Sequence, residues 1–361
     1  MGRRPPDRRL RAAALLLSAV LLAGCTSPGA TTTPTEPLGA RVDAALSGHL
    51  LEAFLAFFPD DAEGQSRGTS WYAALAAGDG ELAQTGASQF TVTTTFPGDR
   101  RAATQAITYQ ASGDDDPVIS GVARTPGTPL WALDPTTVTP ASSGTLLSAD
   151  LDEAARSTWA TRLDHAAARV DHVGVPGADD WAGGLVVEVP GSDADFLVVT
   201  GSEASSASAI TICEGGTPRI VVSPEALGLD AGWLDSTLVH EAVHVATDSA
   251  CVAAGESLAW AVEGLAESVT ARADAATASR NRKLVAEYLA TNGVPDALPE
   301  RPETLTDYAL AQLAVDQVRA HLGSRAGDLL DRAVHDASSV TAQELREVTG
   351  WYVAELARRA G

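Results

Sequence analysis

Leu238-Val239-His240-Glu241-Ala242-Val243-His244 lies in the second half of a 361-residue chain and decides how that half is read. From Leu234 onward the apolar residues recur at helical spacing almost to the end, with breaks at 293–302 and around Gly323. On a helix, residues four apart lie about 40° apart around the axis, so the imidazoles of His240 and His244 leave one face a turn apart. Two histidines so placed can grip one zinc ion. Glu241 is turned about 100° from His240 and about 60° from His244. It therefore sits beside such an ion rather than on it, where a carboxylate can take a proton from metal-bound water.

A catalytic zinc site needs a third protein ligand and an open fourth position. Asp248, Glu256, Glu263 and Glu267 are the acids downstream that offer one. Asp248 falls one turn beyond His244 and points past the ion along the helix axis. Glu256 follows Gly255 near the start of a second helix and remains open. Glu263 is better placed. It leaves room for the first helix to end near Ser249, a loop to form and a second helix to return alongside.

These residues carry a resemblance. His240-Glu241-x-x-His244, 18 residues, then Glu263 within Trp260-Ala261-Val262-Glu263-Gly264-Leu265-Ala266-Glu267 is similar to the pattern of gluzincin zinc metallopeptidases. The likeness is to the aminopeptidase N-related, peptidase MA-like group, and it spans roughly 170–338. It implies that His240, His244 and Glu263 hold one Zn2+ and that Glu241 is the general base. It also implies that Glu267 orients a zinc-binding histidine through its ring N–H. A tyrosine or histidine beyond the third ligand would then stabilise the oxyanion; Tyr308 is the candidate, with Tyr288 and His321 as alternatives. An edge strand at 209–213 would pair with an extended peptide or protein substrate. No Gly-x-Met-x-Asn segment is present, and aminopeptidase specificity does not transfer.

Outward from this core, 148–170 reads as a helix, and 184–189, 196–200, 209–213 and 219–223 read as short strands. Strands followed by a helical bundle give an α+β domain over 148–361. Before it, Val42, Leu46, Leu50, Leu51, Phe54, Leu55 and Phe58 have helical spacing up to Pro59. Segments 90–96, 104–110, 117–123 and 130–133 within 69–139 then favour strands. A long helix followed by a curved sheet resembles a nuclear-transport-factor-2-like domain, expected here over 40–147; a generic α+β domain is the alternative.

The chain begins with Arg3, Arg4, Arg8, Arg9 and Arg11, then an apolar run at 12–23 that is too short to span a bilayer. The run ends in Leu22-Ala23-Gly24-Cys25, which resembles a bacterial lipobox. Residues 1–24 are thus read as a lipoprotein signal peptide, Cys25 as the lipidation site and 25–39 as a Thr/Pro-rich tether. That predicts an extracytoplasmic protein, lipid-anchored to the bacterial cell membrane. In that compartment Cys213 and Cys251 are expected to pair. With 47 acidic against 25 basic residues, a formal charge of −22, the surface repels phosphate backbones, which excludes nucleic acid as a partner.

Two functions compete. One is a zinc-dependent peptidase. The other is a non-catalytic envelope lipoprotein whose first domain binds a ligand or partner and whose zinc site is structural. Glu241 favours catalysis, because a structural site has no use for an acid there and would close its fourth position.

Overall fold

Two sheets and a bundle of helices build an α+β fold, in which one sheet is covered on both faces. The computed structural model describes residues 37–113, 117–201 and 207–361. The signal segment, Cys25 and the Asp114-Asp115-Asp116 run lie outside these. In chain order the elements are α1 (Leu38–Ser47), α2 (Leu51–Leu55), α3 (Ala62–Ala77), β1 (Glu81–Gly86), β2 (Gln89–Thr94), β3 (Ala103–Ser112), β4 (Val118–Val122), α4 (Leu130–Leu133), β5 (Thr137–Ala141), β6 (Gly144–Ser148), α5 (Glu153–Val173), β7 (Leu185–Val189), α6 (Asp193–Thr200), β8 (Ala209–Glu214) and β9 (Thr217–Val222). The helices α7 (Ala231–Thr247), α8 (Ala259–Ala273), α9 (Ala275–Asn292), α10 (Leu305–Leu322), α11 (Ala326–His335) and α12 (Ala342–Ala360) follow.

β1 to β4 form an antiparallel meander. The second sheet runs β5-β6-β7-β9-β8, with β6, β7 and β9 parallel to one another and an antiparallel strand at each edge. Alternation along its strands explains why they read as continuous apolar runs: both faces are buried. Leu146, Leu185, Val187, Val189, Ile220 and Val222 pack against α5 and α7, while Leu147, Val186 and Val221 face the first part of the chain. There they meet a core of aromatic rings, in which Trp71 stacks edge-on against Trp131 at 5.4 Å.

The sheet crosses the boundary expected at 147/148, because β5 and β6 begin it. Pro37–Gly361 forms one compact unit. Arg219 of β9, fully buried, ties the two parts together: it donates to both oxygens of Asp99, to Glu214 of β8 and to Thr94 of β2.

Several local expectations are corrected. The single helix read from 41 to 58 is two, split where His49 takes a left-handed φ of 55°, and a third helix occupies 62–77; the element order behind the nuclear-transport-factor-2-like resemblance changes accordingly. The stretch 130–133 is a helical turn, apolar on every side because all four residues are buried. The stretch 196–200 belongs to a helix: Ser192 accepts from the Asp195 amide at its start, and Gly201 ends it in the left-handed region. The folded body also starts at α1, so residues 38 and 39 are not part of a tether.

Candidate metal centre

α7 begins at Asp230, whose carboxylate caps the amides of Gly232 and Trp233, and it carries His240, Glu241 and His244. After Asp248, in the left-handed region at φ 59°, the chain turns through 249–251 and returns as α8 with Glu263 and Glu267. The ligand atoms of His240, His244 and Glu263 all lie within 4.8 Å of one another. Glu263 Oε2 is 3.2 Å from His240 Nε2 and 3.5 Å from His244 Nε2.

The far side of each imidazole is also engaged. His240 Nδ1 donates to Glu267 Oε2 at 3.1 Å, and His244 Nδ1 lies 3.1 Å from Ser249 Oγ. With its proton on Nδ1, His240 turns the Nε2 lone pair toward a carboxylate oxygen, an arrangement that repels unless a cation lies between them. In the metal-free site a second proton fills that role. Burial opposes charge on His240, yet hydrogen bonds to Glu263 and Glu267 and the charge of Glu241 hold its pKa well above the ordinary value. Burial likewise opposes ionisation of Glu263, but the two histidines outweigh it and keep its pKa far below the usual carboxylate range. Two imidazoles and a carboxylate around one point match the ligand chemistry of zinc.

Glu267 is buried and shared: its Oε1 accepts from Asn281 Nδ2 at 2.6 Å and from an Arg280 NH2 group at 3.1 Å. Burial opposes its ionisation, but His240 first, then Asn281 and Arg280, outweigh burial and hold the Glu267 pKa down. The buried carboxylate of Glu241 accepts from Thr211 Oγ1 at 2.8 Å. Thr211 lies on β8, the edge strand expected at 209–213.

Tyr308 comes from α10, with its ring centroid 5.7 Å from that of His240. Burial first, then Glu263, Glu241 and Glu267, push its pKa up to about 12, so its hydroxyl remains a donor at neutral pH. Gly264 makes this approach possible: a Cβ there would lie 2.4 Å from the carbonyl oxygen of Ala311. The alternatives lie elsewhere. His321 stacks on Trp351 at 4.6 Å, and Tyr288 packs at the edge of the helical core. Of the other acids weighed as ligands, Asp248 is held by both NH groups of Arg101, at 2.7 and 3.0 Å, and Glu256 is exposed ahead of α8.

A cleft of about 350 Å3 opens beside the centre, lined by Ala209, Trp233, Thr237, His240, Glu241 and Tyr308 among others. Cys213 and Cys251 are bonded, joining β8 to the turn that carries Ser249. The carbonyl end of α7 is gripped from the loop after β2. Arg100 donates to the carbonyls of Val245 and Ala246, and Arg101 to Gly216 and Asp248. His335 of α11 reaches the Thr247 carbonyl. Arg100 and His335 thus satisfy carbonyls that a helix end leaves open, while Arg101 holds the Asp248 carboxylate beside them.

Sequence reasoning missed Thr211, Ser249, Asn281, Arg280, Arg100 and Arg101. Only Thr211 left a trace, as the polar residue at the middle of the expected edge strand. The fold and site define an α+β protein whose His-His-Glu group can hold a metal ion. Compared with protein-family models, with curated proteins and with solved structures, the chain matches none.

Proposed function

We propose that this protein is a zinc-dependent peptidase of gluzincin type that hydrolyses peptide bonds outside the cytoplasm. One observation carries the reading: three ligand atoms converge within 4.8 Å while the buried carboxylate of Glu241, next to one ligand in sequence, faces the adjoining cleft. Held by His240, His244 and Glu263, zinc supplies Lewis acidity, polarising a carbonyl and lowering the pKa of water to about 7. Glu241 accepts the proton of the attacking water and delivers it to the leaving amine. Thr211 fixes the direction of that carboxylate. Tyr308 donates its hydroxyl hydrogen toward the developing oxyanion. Glu267 holds His240 in one tautomer and orientation.

The disulfide supports an oxidising compartment, and the opening 25 residues support export and a lipid anchor at Cys25. Among the described residues no helix is long and apolar enough to cross a membrane.

The test is metal content of the purified protein beside Glu263→Ala, with a peptide library and Glu241→Gln as control. One zinc per chain, lost with Glu263→Ala, and cleavage lost with Glu241→Gln while zinc stays, is the expected result. No bound zinc under metal-replete conditions overturns the reading and leaves a ligand-binding envelope lipoprotein.

A further inference from the structure

The cleft beside the metal centre has a distinctive chemistry at the end away from Glu263. Its wall there is Trp233 and Thr237 of α7, Ala207 and Ala209 at the start of β8, and Leu305 of α10. Into this neutral surface Arg280 of α9 is set, the one Arg or Lys among the described residues that line the cleft. Every other charged residue described in the lining is an acid or a site histidine: Glu241, Glu267, His240 and the exposed Glu303 at the rim.

Arg280 is held in place from three directions. Its guanidinium lies 4.9 Å from the centroid of the Trp233 ring, one NH2 group donates to Glu267 at 3.1 Å, and Nε donates to Asn281 Oδ1 at 3.2 Å. The side chain is 29% exposed, so the head group is pinned and mostly dehydrated, not swinging in solvent. Those bonds use Nε and one terminal nitrogen. Among the described residues the other terminal nitrogen has no acceptor, in a residue that lines the cleft. A planar donor fixed in this way presents N–H groups at low entropic cost, and carboxylate is the group its geometry matches. Glu267 connects the two ends: one oxygen holds Arg280 and the other holds His240. Arg280 therefore stands one carboxylate and one imidazole ring from the metal position.

Resting on the peptidase reading, we propose that Arg280 is the specificity-determining residue of this cleft. It selects peptides that place a carboxylate a short way from the scissile bond. That carboxylate is either an acidic side chain or the peptide's own C-terminal group. The net charge of −22 does not oppose this, because long-range repulsion is screened within about 8–10 Å in physiological salt, whereas the contact with Arg280 is local and partly dehydrated.

The experiment uses four peptides that differ only in acidic versus amide side chain and in free versus amidated C-terminus. They are assayed with the zinc-loaded wild-type protein, Arg280→Gln and Arg280→Lys. The wild type is expected to favour one carboxylate class by about tenfold or more in kcat/KM, and the arm that carries the preference identifies its source. Arg280→Gln should abolish the preference, so that the four peptides are cleaved with one common kcat/KM, and Arg280→Lys should restore part of it. Equal cleavage of all four by the wild type overturns the proposal. So does a uniform loss in Arg280→Gln, which would make Arg280 only a support for Glu267.

Binding is read separately, by NMR titration of N-acetylglutamate and N-acetylglutamine amide into wild-type protein and Arg280→Gln. Saturable binding that needs both the carboxylate and Arg280 supports the assignment even if no peptide is cleaved, in which case the peptidase reading alone falls. Absence of saturable binding, or equal binding by Arg280→Gln, overturns it.

Discussion

Replacing Gly264 by alanine separates the metal site from the tyrosine that faces it. In the structure an alanine Cβ would lie 2.4 Å from the Ala311 carbonyl oxygen and 2.9 Å from a methyl of Val315. Ordinary contact begins at 3.4 Å, so α10 must retreat from α8 by about 1 Å at that crossing. Alanine favours an isolated helix over glycine by about 1 kcal/mol. Forcing a methyl into packed backbone costs about 1–3 kcal/mol, and here the obstacle is main chain that no rotamer change can move. The net expectation is a loss of up to about 2 kcal/mol in unfolding free energy, measured by urea denaturation of the metal-free protein. His240, His244 and Glu263 reside on α7 and α8, so zinc stoichiometry should survive. Tyr308 rides on α10 and moves off. On the proposed mechanism kcat then falls about tenfold or more, since a 1 Å misplacement of a reacting group is costly, while zinc content is unchanged. Unaltered stability together with unaltered kcat would refute the reasoning, because it would mean that α10 yields freely and Tyr308 does not depend on the crossing.

Glu267→Ala should weaken zinc binding about 10–100-fold in a chelator competition, with Glu267→Gln between it and the wild type; equal affinity of all three would show that His240 needs no anchor. In the metal-free protein the raised pKa of His240 gives stability that is complete below its unfolded value and lost as pH rises through the folded one. The depressed pKa of Glu263 gives stability present above its unfolded value and lost as pH falls through the folded one. On the proposed zinc reading the ion would have to displace the His240 proton, so affinity should climb about tenfold per pH unit from neutrality up to the folded His240 pKa, and a flat profile in buffered titrations contradicts this. Reducing Cys213–Cys251, 38 residues apart, should lower stability by about 4 kcal/mol on the chain-entropy account, visible as a lower urea midpoint. Arg219→Ala should cost about 3–5 kcal/mol by stranding buried Asp99 and Glu214. Glu188→Gln should cost less than Arg219→Ala, because burial first, then Glu214, raises the Glu188 pKa and so disfavours its charged form; the pair of urea curves decides.

The site was legible where its logic is local. Helical geometry alone puts His240 and His244 on one face, and the room a returning helix needs favours Glu263, with Glu256 left open until the family resemblance names Glu263. The α+β class followed from the strand-then-helix order of the second half. What escaped was set by partners distant in sequence. Nothing in the local sequence marks Arg280 and Asn281, which α9 brings to Glu267. The same holds for Arg100 and Arg101, which meet the end of α7 from 145 or more residues away. The stretch 130–133 was misread because a turn buried on all sides has no polar face to reveal its period, and 196–200 because Leu197 and Val198, though only half-buried, are apolar like Phe196 and Val199. Both β5 and β6 were overlooked, and with them the fact that the second sheet begins before the expected boundary.

The grip of Arg100 and Arg101 on the last turn of α7 bears on how such a chain can change over generations. A gene-level swap that supplied a different front half would deliver the histidine helix without the two arginines that quiet its open carbonyls and bind Asp248. Recombination near the middle of the gene is thus penalised even when both pieces are individually sound. Variation should collect instead on surfaces remote from that loop, and the two halves should be inherited as one piece.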